Sequence, residues 1–145
     1  MIRTELSLRL PNSPGALAGT CRLLSDARVN VLALSLESGG SVRVVVDNPT
    51  LAAGLLRERQ LQVTERPVLV AHLSHSPGAL AGALKLLADA GVNLEYVYGG
   101  GVDAVRTGVM VFGVDDAMRA SAASLSITFT AGSPASRSAG HSRRP

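Results

Sequence analysis

Ser13-Pro14-Gly15-Ala16-Leu17-Ala18-Gly19 recurs without change, 63 residues on, as Ser76-Pro77-Gly78-Ala79-Leu80-Ala81-Gly82. The match continues past the heptapeptide. Across Ser13–Val31 and Ser76–Leu94, 13 of 19 positions are identical. A repeat of that quality is an internal duplication, so the chain must fold as two copies of one unit. Units of this size sit near the lower limit for an independent core, so the two are expected to share an interface. What is repeated is a Pro-Gly loop, the helix after it and an Asn at that helix's far end.

The first unit alternates strictly at Glu5-Leu6-Ser7-Leu8-Arg9-Leu10, which reads as a strand with one wet face. Asn12 or Ser13 can cap the next helix, with Pro14 in its first turn. Leu17, Cys21 and Leu24 recur at helical spacing, and the helix is expected to end near Ala27-Arg28. Val29–Leu36 and Val42–Val46 read as strands around a Ser38-Gly39-Gly40-Ser41 turn. Asp47-Asn48-Pro49 opens a second helix. Leu61–Glu65 reads as a short fourth strand, giving βαββαβ. The second unit repeats the order, with strands at Val68–Leu73, Val92–Tyr98 and Val105–Val114. Its helices are expected at Pro77–Ala90 and Asp116–Ser124, with a last strand at Leu125–Thr130. The predicted boundaries are 1–66, 67–130 and a disordered basic tail at 131–145.

Hydrophobic residues make up 46% of the chain, with no Trp, two Phe and two Tyr. The core must be Leu, Val and Ala, and a base-stacking surface is disfavoured. Residues 1–130 carry eleven basic and eleven acidic side chains; Arg137, Arg143 and Arg144 account for the net +3. The basic character thus belongs to the tail, and no nucleic-acid partner is expected. A lone Cys21, on the apolar stripe, permits no intramolecular disulfide and no Cys-based metal site. His72 and His75 have no Cys nearby, and no metal or cofactor is expected. Arg3, Glu5 and Arg9 exclude a signal peptide at Met1–Leu10, and no apolar run approaches a membrane span, so a soluble cytoplasmic protein is expected. No Ser-His-Asp spacing, phosphate loop or paired catalytic acid is present, so the chain is not expected to be an enzyme.

The bare face of the sheet differs between the units. Glu5, Ser7 and Arg9 in the first align with Val68, Val70 and His72 in the second. Two valines on that face imply a cover, most simply another copy of the chain, hence a homo-oligomer such as a dimer. Tyr96 and Tyr98 alternate along one strand and line either a pocket or an interface. A helix N-terminus suits a carboxylate, and Gly15 and Gly78 admit close approach to the backbone. If the units pack as a pseudo-symmetric pair, each loop faces the other's Asn30 or Asn93. Such a site offers donors to a carboxylate and acceptors to an ammonium, as a free amino acid requires. The plainer reading makes the same residues an ordinary helix start and stop.

The order βαββαβ, with Asn12-Ser13-Pro14-Gly15-Ala16-Leu17 and Ala27-Arg28-Val29-Asn30-Val31, resembles an ACT domain. The second unit resembles another, through Ser76-Pro77-Gly78-Ala79-Leu80 and Ala90-Gly91-Val92-Asn93-Leu94-Glu95-Tyr96. The resemblance covers about residues 2–130 and implies an α+β fold. Two ferredoxin-like units would stand side by side, with antiparallel sheets, helices on one face and the units joined edge to edge through their second strands. It also implies a small regulatory protein that binds a free amino acid where the loop of one domain meets the second strand of its partner. The ligand residues it implies are Asn12, Ser13, Pro14, Gly15, Ala16 and Asn30, with His75, Gly78, Ala79 and Asn93. Two departures stand out: His75 replaces the loop Asn, and Arg28 occupies the left-handed position that Gly91 fills in the second unit. A ligand-free interaction module is the alternative.

Overall fold

The computed structural model describes residues 1–74, 76–100 and 108–130, with side chains to Ser124. His75 and the expected tail at 131–145 lie outside the described residues. The elements are β1 (Ile2–Arg9), α1 (Ala16–Asp26), β2 (Val31–Leu36), β3 (Ser41–Val46), α2 (Pro49–Glu58), β4 (Thr64–Leu73), α3 (Ala79–Asp89), β5 (Leu94–Gly100), β6 (Gly108–Val114) and α4 (Ala117–Thr130). They form one six-stranded antiparallel sheet in the order β2-β3-β1-β4-β6-β5.

The helix ends follow from local chemistry. Gly91, at φ 72°, follows α3, and the N–H groups of Gly91 and Val92 donate to the carbonyls of Ala88 and Leu87 at 2.9 Å each. This is a Schellman motif, closed by contact between Val92 and Leu87 in the core. Arg28, at φ 60°, does the same after α1, with Val29 on Leu24. Gln60, at φ 63°, does it after α2. Asn48 caps α2, its side chain accepting from the Leu51 N–H at 3.2 Å with Pro49 next in line.

All four helices cover one face. Leu6, Leu8, Val42, Val44 and Val46 meet Leu24, Ala52 and Leu56 in one core, and Leu69, Phe112 and Val114 meet Leu87 and Ala120 in a second. Each of these two clusters thus belongs to one copy of the repeat, as the duplication requires.

The sequence placed two short strands at Leu61–Glu65 and Val68–Leu73; the structure has one strand, Thr64–Leu73. Its first half pairs with β1 (Ser7 opposite Thr64) and completes the first unit. Its second half pairs with β6 (Leu69 opposite Phe112) and begins the second. The expected boundary at 66/67 therefore falls inside β4. Pro67 is tolerated there because pairing with β6 starts only at Leu69, leaving no ladder bond to lose on that side.

The expected last strand at Leu125–Thr130 is instead the end of α4. No turn residue separates Ser124 from Leu125, so the helix continues. The slot beside β4 is also taken. Ile2 lies opposite Leu69, and Met1 exchanges backbone hydrogen bonds with Val70 at 2.8 and 3.0 Å. Hence β1 serves as the fourth strand of the second unit.

The two units are therefore joined through their first strands, not their second. β2 and β5 are the two outer strands, and the sheet curls until they approach within 8 Å, Cα to Cα. The curl closes the bare face on itself. Val68 and Val70 pack there with Val45 and Val111, flanked by Leu32, Ala33, Tyr98 and Val109. Both valines are buried within a single chain, so the cover that the sequence attributed to another copy comes from the chain's own sheet.

Candidate functional site

Each repeated loop is a turn followed by a helix. Gly15 sits at φ 83°, ψ −5°, and Gly78 at φ 84°, ψ −7°. The Ala16 N–H donates to the Ser13 carbonyl at 3.3 Å, and Ala79 to Ser76 at 3.2 Å. These are type II turns, with Pro at the second position and a residue of positive φ, hence Gly, at the third. The sequence placed Pro14 in the first helical turn under an Asn12 or Ser13 cap. Pro14 instead precedes the helix, and the residue at the cap is Gly15, without a side-chain hydrogen bond. A Cβ at Gly15 or Gly78 would meet nothing within 4 Å, so the turn geometry accounts for both glycines.

A cavity adjoins each turn. The first, about 370 Å³, lies between Asn12, Ser13, Gly15 and Ala16 on one side and Glu37 and Ser38 of the β2–β3 hairpin on the other. That hairpin is tied to the loop's stem, where Leu10 N–H donates to the Gly40 carbonyl at 2.8 Å and Arg9 to the Gly39 carbonyl at 3.0 Å. The second cavity, about 450 Å³, lies between Ser76, Pro77, Ala79 and Leu80 and the strand ends at Gly99 and Met110. Both walls are mainly apolar, and the second is markedly more so than the first.

Of the expected site residues, Asn12, Ser13, Gly15, Ala16 and Ala79 thus line a cavity; Pro14 and Gly78 shape the turns. Asn30 and Asn93 line neither. Each immediately precedes a strand, its N–H donating to the carboxylate of Asp47 (2.9 Å) or Asp115 (3.0 Å). Their carbonyls accept the N–H of the same aspartates in return. Both side chains are exposed. Each loop faces the hairpin of its own unit, so the composite of one loop with the other unit's Asn is not assembled at either cavity.

A further polar cluster lies on the concave face, at Glu5. Glu5 is 0% exposed, and its carboxyl accepts from the hydroxyls of both Tyr96 and Tyr98, the latter at 2.7 Å. The guanidinium of Arg43 lies 4.0 Å and that of Arg66 5.1 Å from the centre of the Tyr96 ring, close enough for cation–π attraction. Arg66 also bonds Glu95 and the Val114 carbonyl, both at 3.0 Å. Gly113 lies opposite Tyr96, and a Cβ there would come 2.3 Å from the ring, so its absence lets the ring lie flat on the sheet. Burial, the hydrogen bond to Glu5 and the charge of Glu5 push the Tyr96 hydroxyl up to about 12, and the same causes raise Tyr98 further. Both tyrosines therefore stay protonated donors at neutral pH. Alternation placed Glu5 on a wet face. The one signal in the sequence was the pair of tyrosines on one parity.

A profile of the ACT domain pair matches residues 1–130. The chain belongs to that family. Among solved structures, a protein of Bacteroides thetaiotaomicron superposes with a TM-score of 0.78 at 24% identity, covering 88% of this chain and 90% of that one. The regulatory subunit of aspartate kinase from Thermus thermophilus, in its ligand-free form, gives 0.61 at 19% identity, over 90% and 93% of the two chains. Escherichia coli aspartokinase III, in complex with lysine and aspartate, gives 0.59 at 18%, over 91% of this chain and 32% of that one. At these identities the likeness is one of fold. No curated protein matches. As an ACT domain pair, the chain has a regulatory rather than a catalytic architecture. Among the described residues no helix is long and apolar enough to cross a membrane, and no cluster of metal-ligating side chains occurs.

Proposed function

We propose that this chain is a small cytoplasmic regulatory protein that binds a free amino acid at its loop cavities. Its two units would be residues 1–66 and 67–130. The observation that carries the reading is the duplicated turn, which twice sets a helix N-terminus against a cavity large enough for a small ligand. The N–H groups of Ala16 and Ala79 close the turns, and the next N–H groups of α1 and α3, with no intrahelical partner, suit a carboxylate. At the first cavity Asn12 and Ser13 offer further donors, and Glu37 offers an acceptor to an ammonium. At the second, Leu80 and Met110 favour an apolar side chain. Asn30 and Asn93 lead into strands in this reading and are not ligand contacts. Aspartokinase III, solved with lysine and aspartate, makes an amino acid a reasonable class of ligand for a pair of this fold.

The test is a thermal-shift screen of the full chain against the twenty common amino acids, followed by calorimetry on any that raise the melting temperature. A ligand at about 100 times its Kd stabilises by about 2.7 kcal/mol, a shift such a screen resolves. No shift with any amino acid at millimolar concentration would favour the ligand-free interaction module. The valine face gives that module no support, because Val68 and Val70 are covered within the chain.

A further inference from the structure

The two cavities are connected by an unbroken line of contacts. Glu37, in the wall of the first, pairs with Arg43. Arg43 lies over Tyr96, and the hydroxyl of Tyr96 donates to Oε1 of Glu5. Oε2 of Glu5 accepts from Tyr98. Tyr98 is followed in β5 by Gly99 and Gly100, which form part of the wall of the second cavity. The line crosses from β3 and β1 of the first unit to β5 of the second.

We propose that this line couples the two cavities, so that a change in the wall of one shifts the wall of the other and the two sites are not occupied independently. The consequence for occupancy rests on the amino-acid reading above; the mechanical coupling does not. Glu5 is fully buried, and among the described residues its carboxyl accepts from these two hydroxyls. Moving either hydroxyl away would leave a buried oxygen unpaired, so the tyrosines and Glu5 move together or not at all. β5 is an outer strand with one ladder neighbour, β6. The tyrosine pair is its second attachment, and the Arg66–Glu95 bond holds the strand near its start. A strand held in this way passes a displacement along its length, and a packed network of this kind changes between discrete arrangements.

Amide hydrogen exchange on the full chain, without any ligand, tests the coupling. Glu37→Gln weakens the pair with Arg43 at an exposed position. Exchange at Tyr98–Gly100 should then rise about two- to tenfold, while amides of α2 stay unchanged. In a Tyr98→Phe background, and in Glu5→Gln if that variant folds, the same change should add nothing at Tyr98–Gly100. Unchanged exchange there, a rise spread evenly over the protein, or an equal rise in Tyr98→Phe would overturn the proposal. Because no amino acid is present, an empty ligand screen leaves the coupling standing, and a failed coupling test leaves the amino-acid reading standing.

Discussion

Arg28 holds φ at 60° where the second unit has Gly91 at 72°. A side chain in the left-handed region costs about 1 kcal/mol, partly offset by the greater freedom of glycine in the unfolded chain. Arg28→Gly should therefore stabilise the protein by about 0.5–1 kcal/mol, seen as a higher urea midpoint at unchanged slope. A lower midpoint would mean that the arginine side chain contributes more than its backbone costs. The opposite change at Gly113 should be harmful. Gly113→Ala puts a methyl group 2.3 Å from the Tyr96 ring, which must then lift off the sheet and away from Glu5. Overpacking of this kind costs about 1–3 kcal/mol, and an unaltered melting temperature would show that the ring is free to move. The strain at Arg28 was legible in the sequence because the repeat aligns it with a glycine. The burial of Glu5 was not, since a strand's alternation says which face a residue takes but not whether the sheet later closes over that face.

Among the elements, the first strand, the loop and the helix of each unit were legible because each is a local pattern. What failed were the two fourth strands. Short apolar runs near a helix end do not reveal their partner, and here one strand, β4, serves both units while β1 fills the remaining slot. The valines of β4 show the same limit: their periodicity marked an inner face correctly, but the sequence assigned its cover to the wrong molecule. Val70 is 6% exposed, against Val45, Val68 and Val111. Val70→Lys would place an ammonium among buried valines. It should destabilise the chain by about 3 kcal/mol or more, or unfold it. Denaturation and sedimentation together distinguish the cases. A variant with native stability that has merely dissociated from an oligomer would restore another chain as the cover.

At the scale of the whole molecule, the duplication was plain, but the way its halves join was not. Two copies of one strand pattern can meet through first or second strands, and only the pairing of β1 with β4 decides it. That pairing brings Glu5 of the first half within reach of Tyr96 and Tyr98 of the second, making the closed form of the sheet sensitive to high pH. Tyr96 is raised from 10.0 to about 12 by burial, by its hydrogen bond to Glu5 and by the charge of Glu5; Tyr98 is raised further by the same causes. In the unfolded chain both ionise near pH 10. Between pH 10 and 12 the folded protein therefore binds more protons than the unfolded one, and stability must fall as pH rises. The contribution of the pair is complete below pH 10 and, for Tyr96, is lost as pH passes about 12. Urea midpoints of the wild type should drop across this window more steeply than those of the double variant Tyr96→Phe, Tyr98→Phe. The double variant is the weaker protein at pH 8, because Glu5 loses both donors, so the two curves should converge on going alkaline. Parallel curves would mean that the tyrosines titrate alike in both states, and that the Glu5 cluster does not hold the two halves together.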